Sequence, residues 1–158
     1  MSNRGQSSSQ FTKPSPIERF SNRAFGFLVK IGICLPHNFL LEVRGRKSGR
    51  AYSTPVNVLW RNEKRYLVAP RGYTQWVRNV IASGEAVLAR GAKRETVHLK
   101  MIADDGKPEI LKAYLDQYKL TVQRYFPIPA GSPLEAFQPL VSQYPVFEII
   151  AKEGGAKK

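Results

Sequence analysis

Between positions 40 and 150, short apolar runs are broken by glycine, proline and charged turns, a pattern of strands rather than of long helices. Six strands are predicted. Asn38–Arg44 has Leu40 and Leu41 leading into alternation, and Tyr52–Arg61 carries Val56, Val58 and Trp60 on one parity. Arg65–Ala69 follows the turn Arg61-Asn62-Glu63-Lys64. Glu85–Arg90 and Thr96–Ala103 flank a hairpin turn at Gly91-Ala92-Lys93-Arg94, and Pro145–Ala151 is the last strand. Helical patterns fall between and after them. Thr74–Ser83 ends at Gly84, a good C′ residue, and Lys107–Tyr118 carries an apolar stripe of Ile110, Leu111, Tyr114, Leu115 and Tyr118. A third helix is predicted over Pro133–Gln143, after the break at Pro127-Ile128-Pro129. The expected class is mainly β with helices (α+β), a small antiparallel barrel with helices at its ends.

A different pattern precedes the strands. Ser15-Pro16-Ile17-Glu18 is a capping box with proline at the first helical position. Behind it Ile17, Phe20, Ala24, Phe27, Leu28 and Ile31 keep helical spacing, with Arg19, Arg23 and Lys30 between them. Such a helix over residues 15–35 either covers an open end of the core or lies on an anionic membrane surface. The 158 residues form one domain, 15–152, between polar tails 1–14 and 153–158 that are expected to be disordered. The first ten residues hold no apolar run of the signal-peptide kind, and nothing reaches the length needed to span a bilayer. Cys34 is the only cysteine, which excludes an intramolecular disulfide and fits a cytoplasmic protein, membrane-associated if that helix touches lipid. His37 and His98 are the only histidines and have no partners at ligand spacing, so no metal site is expected.

Charge narrows the chemistry. The formal net charge is +13, and Arg44 to Lys100 alone holds thirteen Lys/Arg against three Glu. A basic surface of this kind suits nucleic acid, anionic lipid or a polyanionic small molecule. Two loops decide among them. Gly45-Arg46-Lys47-Ser48-Gly49-Arg50 sets three cations and a hydroxyl among glycines, whose bare backbone lets N–H groups turn toward an anion. It is no Walker loop, because the Gly-Lys-Ser/Thr spacing and the following helix are missing. The second loop, Ala69-Pro70-Arg71-Gly72, leads from a strand into a helix start near Thr74, where free N–H groups attract anions. Trp76 adds a flat apolar surface there. Two such loops converging on one ligand point to a phosphorylated cofactor with a planar head. Nucleic-acid binding would instead show basic residues interleaved with aromatics on a strand face.

At these residues the sequence resembles the deazaflavin-dependent nitroreductase family, split β-barrel reductases that use coenzyme F420. The resemblance rests on the 45–50 turn, Thr54-Pro55-Val56, Val68-Ala69-Pro70-Arg71-Gly72 and Trp76-Val77-Arg78-Asn79, covers Leu40 to Gly91, and extends more loosely to Pro145-Val146-Phe147. It implies a six-stranded antiparallel split barrel, FMN-binding-like and homodimeric. It places the cofactor's phosphate and acidic tail on Arg46, Lys47, Ser48 and Arg50, and its ring or ribityl chain on Thr54, Pro55 and Val56. Ala69, Pro70, Arg71 and Gly72, with Gln75, Trp76, Arg78 and Asn79, would close the other side. The expected reaction is hydride transfer from reduced F420 to an electron-poor small molecule: a quinone, enone or nitro compound. FMN is the alternative cofactor, and Tyr125 or solvent the proton source. The competing reading is a non-catalytic flavin, deazaflavin or lipid binder at a membrane surface.

Overall fold

Alternation along the strands places successive side chains on opposite faces, and the computed structural model, which describes residues 38–152, shows where those faces go. The tails, the 15–35 helix, Cys34 and His37 lie outside the described residues. Seven strands form one antiparallel sheet: β1 (Asn38–Arg44), β2 (Ala51–Asn57), β3 (Leu59–Arg61), β4 (Lys64–Val68), β5 (Glu85–Arg90), β6 (Lys93–Met101) and β7 (Val146–Ala151), in the order β2-β1-β5-β6-β7-β4-β3. The strand expected over Tyr52–Arg61 is therefore two. β2 pairs with β1 from Asn38↔Asn57 to Arg44↔Ala51, whereas β3 pairs with β4, so the chain changes partner at Val58. Because β2 and β3 are the two edges of the sheet yet are separated by that single residue, the sheet has to curl until its edges meet. The result is the split barrel, with seven strands in place of six. Val58 is fully buried at the junction, and its carbonyl accepts a hydrogen bond from the Tyr118 hydroxyl at 2.8 Å.

Two turns set the hairpins. Asn62 and Glu63 both take positive φ, 52° and 66°, the requirement of a two-residue loop whose twist matches its strands. After Gly91-Ala92 the pairing resumes at Arg90↔Lys93, which starts β6 three residues earlier than predicted.

Two hydrophobic clusters pack the sheet. Leu41, Val43, Leu88, Val97, Leu67 and Phe147 point into the barrel, against Val77 and Val80 of helix α1 (Gln75–Ser83). Their sequence neighbours Val68 and Val146 face the other side, under Leu111 and Leu115 of helix α2 (Lys107–Gln117) and Phe137. Strands β4 and β7 are thus covered on both faces. The predicted third helix is a 3₁₀ helix over Leu134–Gln143. Pro139 inside it lacks an N–H, and the buried Phe137 and Leu140 are three residues apart, the spacing that 3₁₀ geometry aligns. Lys107, only 2% exposed, ties α2 to this segment by donating to the Val141 carbonyl at 2.9 Å. Among the described residues no helix is long and apolar enough to cross a membrane.

Candidate functional site

The turn between β1 and β2 is held shut by its own backbone. Gly45 N–H donates to Arg50 O at 2.7 Å, Gly49 N–H to Gly45 O at 2.9 Å, and Arg50 N–H to Ser48 Oγ at 3.1 Å. A methyl group on Gly45 would sit 2.8 Å from the Tyr52 ring and 2.9 Å from Ser48 Oγ, so any side chain there has to push both of these cleft side chains aside. Across from the turn, α1 begins after Thr74. Gly84 closes its far end with φ 75° and donates to Val80 O, an αL termination that glycine takes without strain. Arg78 Nε donates to Tyr73 O at 3.0 Å, bracing the loop that enters the helix.

Arg46 joins the two. Its backbone N–H donates to Asn79 Oδ1 at 3.0 Å, and its Nη1 donates to Asn79 Oδ1 at 2.7 Å and to Gln75 Oε1 at 3.1 Å. Between turn and helix lies a cleft of about 670 Å³, within the usual range for small-molecule sites. The turn contributes Arg46, Lys47 and Ser48, and β2 contributes Thr54. Arg71, Gln75, Trp76 and Asn79 line the opposite wall. Among the described residues the lining holds three cations and no carboxylate. Trp76 supplies a ring whose position is fixed by Phe147, 6.0 Å between centroids at 50°. Thr74 Oγ1, also in this wall, is buried with no hydrogen-bond partner among the described residues, a state that costs about 1–3 kcal/mol unless something satisfies it.

Eight predicted residues thus meet in one cleft, and the others do not line it. Arg50 shapes the turn through its backbone. Pro55 is exposed and pairs with Leu40, while Val56 packs on the barrel core and Ala69 is buried in it. Pro70 and Gly72 form the loop, with Gly72 N–H donating to Ala69 O at 3.1 Å, and Arg78 is spent on Tyr73. Tyr125 packs against the second cluster, where its hydroxyl accepts from Arg124 at 2.9 Å. Burial pushes the Tyr114 phenol beside it up to about 12 and raises Tyr118 and Tyr144 as well, so these hydroxyls stay neutral. Tyr144 donates to the Tyr125 carbonyl at 2.6 Å. Sequence reasoning missed Tyr52 and Ser53, which line the cleft with Thr54. Their signal was position: they are the residues at which β2 leaves the anion-friendly turn.

A sequence profile of the F420H(2)-dependent quinone reductase family matches residues 19–127. No curated protein matches the sequence. Among solved structures, a protein of unknown function from Agrobacterium tumefaciens superposes with a TM-score of 0.53 at 15% identity, over 77% of this chain and 52% of that one. This chain therefore spans about half that protein's length. HutZ, the heme storage protein of Vibrio cholerae, gives a TM-score of 0.53 at 8% identity over 80% and 89% of the two chains. A NimC/NimA family protein from Clostridium acetobutylicum gives 0.51 at 15% identity over 82% and 81%. At these identities the likeness is one of fold.

Proposed function

The chain belongs to the F420H(2)-dependent quinone reductase family, and from that premise we propose that the cleft between the β1–β2 turn and α1 holds reduced F420 and admits an electron-poor acceptor, a quinone first among them. The observation that carries this reading is the joint lining: cations from two separate segments, no carboxylate among the described residues, and an indole packed on Phe147, all in one cleft. Those residues fit a ligand with a flat ring and an acid tail, and the orphaned Thr74 hydroxyl sits in the wall such a ligand would meet. When bound, F420 supplies the hydride; the protein supplies position and electrostatics.

Lys47, Ser48 and Arg71 bind the phosphate and acidic tail, as charged and hydroxyl donors do, with Arg46 adding its charge from the wall. Trp76 and Tyr52 give the ring an apolar bed. The cofactor match is to F420 rather than FMN. Protonation of the reduced acceptor falls to solvent or to the Tyr52 hydroxyl, which lies 3.4 Å from Ser48 Oγ; Tyr125 does not line this cleft. The test mixes purified protein with reduced F420 and a menaquinone analogue, with a nitroimidazole and an enone in parallel. Quinone-dependent oxidation of F420 well above the rate without protein supports the reading, and tight binding with no turnover across all three acceptors contradicts it. The proposal extends to a homodimer: sedimentation at twice 17.8 kDa is the expected result, and a monomer at all concentrations would remove it.

A further inference from the structure

Arg46 meets α1 through amide oxygens, not carboxylates. Asn79 is 5% exposed, and its one acceptor oxygen takes two N–H groups from the same residue, backbone and guanidinium. Gln75, one turn earlier on the same face of the helix, takes Nη1 as well. A carboxylate at either position would make a stronger, charge-assisted bond. It would also cancel the guanidinium's charge inside the cleft. An amide fixes the side chain and leaves that charge in place.

Resting on the reading above, we propose that Asn79 and Gln75 are positioning residues: they lock Arg46, and with it the whole 45–50 turn, onto the cleft wall through neutral acceptors, keeping the wall positive for the cofactor's phosphate and acidic tail. Their role runs through Arg46. The Asn79 oxygen is taken up by Arg46, and the backbone bond it receives fixes the main chain of the turn itself. The device separates two demands that usually conflict, rigidity and net charge.

Three variants test it, Asn79→Asp, Gln75→Glu and Asn79→Leu, with two probes, F420 and its phosphate-free deazaflavin nucleoside. Hydrogen exchange at the Arg46 amide is followed by NMR in the ligand-free protein. Asn79→Asp is expected to keep that amide protected yet bind F420 about tenfold more weakly, the order of one added negative charge near an anion, while the phosphate-free probe binds as before. Asn79→Leu is expected to lose the amide's protection. If Asn79→Asp does not fold, Gln75→Glu, at an exposed position, carries the same comparison. Equal F420 affinity in the acidic variants, or equal weakening of both probes, overturns the proposal. Unchanged Arg46 protection in Asn79→Leu overturns the lock whatever the ligand. Failure of the wild type to bind F420 overturns instead the functional reading beneath it.

Discussion

Arginines that look alike in the sequence do different work in the structure. Arg46 holds the turn to α1, Arg71 faces the cleft, Arg78 braces the loop, and Arg65 and Arg94 pair with carboxylates. Arg65 donates twice to Glu95, at 2.9 Å each, and those bonds hold the Glu95 carboxyl below its usual range against the opposing pull of partial burial; Arg94 does the same for Glu42. A carboxyl lowered in the folded state adds stability that is complete above its unfolded value of 4.5 and is lost as pH falls through the lower folded value. Denaturant unfolding followed from about pH 6 to 3 should show stability falling in acid, with a shallower fall in Glu95→Gln. Superimposable profiles would contradict the pairing. Gly45→Ala should weaken F420 binding while leaving the melting temperature nearly unchanged, because the new methyl displaces only Tyr52 and Ser48 at the cleft. An unaffected titration would take the turn out of the site. The sequence displayed the cations at 46, 47, 50, 71 and 78 but not which of them would be claimed by a neighbour. Backbone oxygens and amide side chains made those claims, and no spacing rule announces them.

Elements were more legible than contacts. β1 and β5 have the predicted bounds, and α1 starts one residue after the predicted Thr74, because alternation and a terminal glycine are local signals. The break at Val58 was not legible. Its cause is a change of pairing partner, a long-range event in a stretch where Val56, Val58 and Trp60 keep one parity across the break. The 3₁₀ segment was half legible, since Pro139 was visible and its consequence depended on Phe137 and Leu140 docking under α2. Phe137 has no exposed surface, and Phe137→Ala should cost about 3–5 kcal/mol in urea unfolding. A loss near zero would mean that this segment does not anchor the second cluster.

At the scale of the whole molecule, closure of the sheet explains the site. Curling brings the edge strand β2 round against β4, and α1, which follows β4, packs against β1, so that the β1–β2 turn faces the start of α1. The two cationic segments are 23 residues apart at their nearest lining members, Ser48 of the turn and Arg71, yet share one wall-to-wall cleft. Family membership supplies the reason for such a cleft, and its lining supplies the chemistry.

The direct measurement of that account is a single NMR titration of the protein with F420, following amides 45–50 and 71–79 together. Both segments should shift in the same titration with one shared affinity. Movement of only one segment, or two unrelated affinities, would contradict the claim that they grip one ligand.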